Sequence, residues 1–197
     1  MTIALWVILG IVVILVIVFV SIFNGLVRLR NQVKNAWAQI DVQLKRRHDL
    51  IPNLLEMVKG YMKYERATLE AITKARTMAQ QATSAGPAER GKVEGELSTA
   101  LNRLLAVVER YPDLKANQNF MSLQEELAST ENKISFSRQF YNDSVMQYNN
   151  QTQMFPSNVV ASMGGFKPGE FFEVTVPEEK EVPKVSFTDQ DTNPKLK

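Results

Sequence analysis

The 197-residue chain contains no cysteine, which excludes a disulfide framework, a thiolate zinc site and a cysteine nucleophile. It has one histidine, His48, so no second imidazole can share a metal with it. No Gly-x-Ser-x-Gly elbow is present for that histidine to serve as a base. The glycine-rich stretch GGFKPG, residues 164–169, lacks the spacing of a phosphate loop. Charge is missing altogether from Met1 to Val27. Basic residues interleaved with exposed aromatics, or a recognisable nucleic-acid module, are also absent, so no nucleic-acid partner is expected. Glu125, Glu126 and Glu131 read as the solvated face of a helix, and a hydrolytic reading requires Glu125, Glu131 and His48 to converge. The expectation is a non-enzyme without cofactor or metal.

What is present first is TIALWVILGIVVILVIVFVSIF, Thr2 to Phe23, an uncharged apolar run. Its roughly 20 residues match a hydrocarbon core about 30 Å thick. A cleaved signal peptide needs a basic start, a shorter apolar core and a small-residue cleavage site, none of which occurs here. Residues 1–27 are therefore expected to be an uncleaved transmembrane anchor. The first flanking charges, Arg28, Arg30 and Lys34, lie only on the C-terminal side. They predict an N-terminus outside the cell, a cytoplasmic remainder and contact with anionic headgroups. Residues 28–76 hold 11 Lys and Arg against 5 Asp and Glu, so the net charge of +2 hides a basic segment near the membrane.

Beyond the anchor, apolar positions step by four and three through Val33, Trp37, Ile40 and Leu44, meet Arg47, and resume at Ile51, Leu54, Val58 and Tyr61. The stripe fades toward Gln81, and Gly86-Pro87 ends it. A second helix is expected over about 88–110, with Val93, Leu97, Leu101, Leu104 and Val108 on one face, stopped at Tyr111-Pro112. A third runs over about 119–155, with Phe120, Leu123, Leu127 and Ile134 on its stripe, and turns polar halfway. The fold class is all-α: one transmembrane helix, then an antiparallel bundle of three to four long helices over 28–163. Residues 164–176 are expected as an extended segment on or near the bundle. Residues 177–197, rich in proline and charge, are expected as a disordered tail.

Length limits the packing. An unbroken helix from Arg28 to Gln81 spans about 80 Å, against about 35 Å and about 55 Å for the other two. Either the first helix bends back near Asp49 to Pro52, or Trp37, Ile40 and Leu44 are covered by a second protomer, which makes a homo-oligomer. Pro52 removes the hydrogen bond to the His48 carbonyl and marks a kink. Arg47 on the apolar seam either snorkels to solvent or pairs within a buried polar layer. Glu131, Asn142 and Asp143 are the candidate partners for that layer, and Arg138 can answer Asp49.

The segments NAWAQIDVQLKRRHDLIPNLLEMVKGYMKYERATLEAITKAR, LQEELASTENKISFSRQFYNDSVMQYN and FPSNVVASMGGFK together resemble the LemA family of bacterial membrane proteins. The resemblance runs from the anchor to about Val174. It implies an anchored antiparallel helical bundle with no established enzymatic activity and supplies no catalytic residues. The expected function is a scaffold or assembly factor at the cell envelope. The alternative is an adaptor that recruits a membrane partner, such as a metallopeptidase, through its third helix or its tail.

Overall fold

The apolar N-terminal run and the stripe that follows it form one helix, α1 (Thr2–Tyr61). Its 60 residues extend about 90 Å. The computed structural model describes residues 2–62 and 64–173; the expected tail at 177–197 lies outside the described residues. Five further helices follow: α2 (Arg66–Gln81), α3 (Pro87–Val108), α4 (Pro112–Lys115), α5 (Gln118–Gln153) and α6 (Ser157–Met163). The fold is all-α, with an apolar N-terminal helix leading into an antiparallel bundle.

Local chemistry sets the element boundaries. Pro87 and Pro112 sit in the first turns of α3 and α4, where a missing N–H costs nothing. Asn117 caps α5, its side-chain oxygen accepting from the backbone N–H of Asn119 at 3.0 Å and of Phe120 at 3.3 Å. A Schellman turn closes α6: Phe166 N–H donates to the Ala161 carbonyl and Gly165 N–H to that of Ser162. Gly165 takes the left-handed conformation this turn needs, at φ 66°.

The chain reverses between Tyr61 and Arg66, which corrects both packing options drawn from the sequence. Gly60 weakens the last turn of α1, a cost of about 1 kcal/mol relative to alanine. The reversal lays α2 along the stripe that a continued helix would have left bare. Ile72 and Ala79 of α2 join Ile51, Leu54 and Val58 of α1, and Met62 just past its end, in the distal core. Leu97, Leu101, Leu104 and Val108 of α3 and Phe120, Leu123 and Leu127 of α5 complete this four-helix layer.

Nearer the apolar run, α1 and α5 run antiparallel. Ala36, Ile40 and Leu44 meet Ile134, Tyr141 and Val145 in a middle core that Phe172 closes. A third core joins Leu26 to Tyr148, Val160, Ala161 and Phe166. Beyond it, α1 continues alone, its apolar window without any buried residue.

Pro52 lies inside α1 without ending it. The His48 carbonyl, deprived of its helical donor by Pro52, accepts instead from Arg76 Nε of α2 at 3.0 Å. The proline thus gives α2 an attachment point.

Candidate functional site

Between the distal and middle cores lies a layer of charge. Arg47 projects from α1 and is 1 % exposed. One guanidinium nitrogen donates to Ser98 Oγ of α3 at 2.7 Å and to Glu131 Oε1 of α5 at 2.8 Å. The other bonds the carboxylate of Glu94 on α3 and, at 3.3 Å, its backbone carbonyl. His48 Nε2 stands 3.2 Å from the same carboxylate. Burial pushes the Glu94 carboxyl up, but the His48 hydrogen bond and the Arg47 guanidinium outweigh it and hold the group below the usual carboxylate range. One guanidinium thereby ties three helices at a single level.

A second polar device binds the segment after α6. Asn142 donates from Nδ2 to the Phe172 carbonyl at 3.2 Å and accepts the Phe172 N–H at 2.9 Å. Asn149, two turns along α5, does the same with Gly169, at 3.0 Å and 2.8 Å. Tyr141 and Tyr148, the residues just before them, donate their hydroxyls to the Glu170 and Lys167 carbonyls, each at 2.9 Å. A Tyr-Asn pair repeated at heptad spacing thus grips an extended backbone that lacks a strand partner. Burial, then the Glu170 carboxylate, push the Tyr141 phenol up to about 12. Burial also raises Tyr148, against the opposing pull of Arg30.

The nominated residues divide between these devices. Arg47 and Glu131 come together in the polar layer. Asn142 does not join them, because its amide is committed to the backbone of Phe172. Asp49 is exposed, and among the described residues no ion pair links it to Arg138, which is half-exposed on α5. Glu94, His48 and Ser98 take the remaining places. Spacing alone assigned Val93 to the apolar face of α3; the buried positions are instead Arg90, Gly91 and Glu94, continuing to Leu97.

Ile40 and Leu44, nominated for self-association, are both 0 % exposed inside the chain's own core. Trp37 packs on Tyr141 and Phe172 at centroid distances of 5.3 Å and 6.0 Å. The Arg90 guanidinium lies 5.3 Å from the centre of the indole ring and also pairs with Asp41. The stripe needs no second protomer, because α5 and the 164–173 segment cover it.

The conditions for a catalytic site are met only in part. Glu131 and His48 both contact the buried cluster, but Glu125 is exposed on α5 and does not line the neighbouring cleft. That cleft, about 260 Å³ between α3 and α5, reaches Ser98 and Glu131 and is otherwise lined mainly by leucine, alanine and amides. Among the described residues no group of three or more His, Asp or Glu is placed to hold a metal ion. Arg47, Glu94 and His48 are buried, and Glu131 alone of the charged groups reaches solvent, while Arg47 Nε and Glu94 Oε1 stay buried without a hydrogen-bond partner.

Next to the apolar run, Arg28, Arg30 and Lys34 are exposed on α1. The Arg30 guanidinium sits 5.1 Å from the Phe166 ring centroid. These positions place a basic collar just past the apolar run, next to the Schellman turn of α6.

The sequence profile described as the LemA family matches residues 36–187, more than half of the chain. The chain belongs to the LemA family. The match takes in the polar layer and the Tyr-Asn pairs. Magnetosome protein MamQ 2 of Paramagnetospirillum magneticum is 25 % identical over 175 residues, covering 77 % of this chain and 64 % of the relative. Protein LemA of Metamycoplasma hominis is 27 % identical over 146 residues, covering 73 % and 65 %. Magnetosome protein MamQ of Magnetospirillum gryphiswaldense is 23 % identical over 174 residues, covering 76 % and 64 %. This LemA-family chain therefore spans slightly less than two thirds of the length of these relatives.

Proposed function

We propose that this LemA-family protein is a non-enzymatic scaffold that holds a rigid helical bundle at a fixed attitude to the cell membrane. The observation that carries the reading is α1, which runs without interruption from the apolar run into the distal core. A helix shared by anchor and bundle transmits orientation, whereas a flexible linker would not. The polar layer supports a structural role, since its charges are consumed in fixing three helices. The names of the relatives, LemA and MamQ, carry no enzymatic activity.

In this reading the N-terminus lies outside and the bundle in the cytoplasm, following Arg28, Arg30 and Lys34. Any self-association uses a surface other than Trp37, Ile40 and Leu44. The test is a pair of chromosomal variants compared for the envelope phenotype of the deletion strain. Replacing residues 2–23 by an unrelated apolar helix in register should preserve function. Inserting a flexible glycine-serine linker between Val27 and Arg28 should abolish it. Full function with the linker would contradict a scaffold that depends on orientation.

An adaptor reading is favoured by one observation: Phe136 and Phe140, one turn apart on α5, are exposed at 73 % and 43 %. They form an apolar ridge suited to a membrane-protein partner such as a metallopeptidase. Phe136→Ser with Phe140→Ser should then abolish function without changing the fold, while the linker insertion should not.

A further inference from the structure

Where the bundle meets the apolar part of α1, the chain turns a corner from α5 into α6. The inner face of α6, with Val160 and Ala161, packs on Leu26 and Phe166. Its outer face carries Val159 and Met163, and the corner before it carries Met154 and Phe155. All four are exposed, Phe155 at 82 % and Met163 at 73 %. A short helix apolar on both faces has a partner in this chain on only one of them.

Position identifies what covers the other. Phe166, which follows α6, meets Phe23 edge to face at 5.4 Å. Gly164 passes so close that an added Cβ would lie 3.1 Å from the Phe23 ring. Phe23 closes the uncharged run of α1, whose apolar side chains from Ile3 to Val20 are exposed. The corner is therefore continuous with the surface that enters lipid, at the level where that surface ends. Arg28, Arg30 and Lys167, all exposed, stand beside it. Arg28 and Arg30 lie about 8 to 10 Å beyond Phe23 along the helix axis, the depth of a headgroup layer.

We infer that the corner of α5 and α6 is a second membrane contact. Met154, Phe155, Val159 and Met163 seat in the interfacial layer of the bilayer that α1 crosses, and Arg28, Arg30 and Lys167 face anionic headgroups. This contact rests on the reading of α1 as an anchor. The continuous α1 fixes the bundle relative to the anchor, and a second contact limits how far that rigid unit tilts in the bilayer.

The absence of cysteine permits a direct test on the full chain. Single cysteines replace Val12, Phe136, Phe155 or Met163, each exposed, and carry an environment-sensitive fluorophore in vesicles of phosphatidylcholine and phosphatidylglycerol. Probes at 155 and 163 should emit to the blue of the probe at 136. They should be quenched by nitroxide lipids and show a several-fold lower sensitivity to aqueous iodide. The probe at 12 reports the anchor independently. Lipid quenching at 12 with iodide access at 155 and 163 equal to that at 136 would overturn the second contact while leaving the anchor standing. Iodide access at 12 would defeat the anchor reading itself. Protection at 155 and 163 from both quenchers, dependent on protein density, would mean that a second copy covers the corner and would also overturn the inference. Omitting phosphatidylglycerol should weaken lipid quenching at 155 and 163 but not at 12; unchanged quenching would overturn the headgroup contacts.

Discussion

Arg47 of α1 and Glu94 of α3 close an ion pair of which 1 % and 2 % of the two side chains remain accessible. Removing one member of such a pair strands the other, at a cost of about 3 to 5 kcal/mol, whereas replacing both by apolar groups is often neutral. Arg47→Met alone should therefore destabilise by that amount in chemical denaturation. Arg47→Met with Glu94→Leu should recover most of the loss. Equal losses in the single and double variants would show that Glu131 and Ser98, rather than Glu94, depend on the guanidinium.

The Glu94 carboxyl titrates below its ordinary value of 4.5 in the folded chain. The unfolded state then binds the proton more readily, so this contribution is complete above pH 4.5 and is lost as pH falls below it. Denaturation curves at a series of pH values should show an acid loss that Glu94→Gln lacks. An identical acid profile in both proteins would count against the cluster as its source.

At the other end of the scale, Tyr141 holds its proton until about pH 12, against 10.0 for a free phenol. A raised folded value means that stability is intact below pH 10.0 and is lost toward pH 12. The hydroxyl donates to the Glu170 carbonyl, so its ionisation should release the 164–173 segment. Tyr141→Phe should lose about 1 kcal/mol at neutral pH and remove this alkaline step. Amide hydrogen exchange at Gly169 and Phe172 measures the release.

Gly91 has no room for a side chain, because an added Cβ would collide with the backbone of Glu173. Gly91→Ala should raise the propensity of α3 by about 1 kcal/mol yet displace the end of the segment. Exchange should accelerate at Phe172 and stay unchanged at Leu101. Protection at both sites would show that the segment accommodates the methyl group.

The hydrophobic stripes and their stops were legible because they act through spacing. Leu97 to Val108 and Phe120 to Leu127 lie where helical periodicity put them, and the uncharged run before Phe23 was visible in composition alone. Glu94 was not legible, since a carboxylate on a helix reads as solvated unless its cation is known. The signal available was Gly91 and Gly95 flanking it, small residues that allow close helix approach. The Tyr-Asn pairs were missed for a different reason. Side chains that bond another segment's backbone follow no hydrophobic period, although the repeat of Tyr141-Asn142 at Tyr148-Asn149 was in plain view. The reversal after Tyr61 has only Gly60 to mark it, a weaker sign than the proline nine residues earlier that α1 passes through.

An orienting scaffold requires one rigid helix joining membrane and bundle. Its most direct test is the spin–spin distance between labels on Val12→Cys and Val42→Cys, both exposed, in the full chain reconstituted into lipid. A continuous helix gives a narrow distribution centred near about 45 Å. A broad distribution, or a markedly shorter distance, would mean that the anchor and the bundle move independently and would contradict the orienting scaffold.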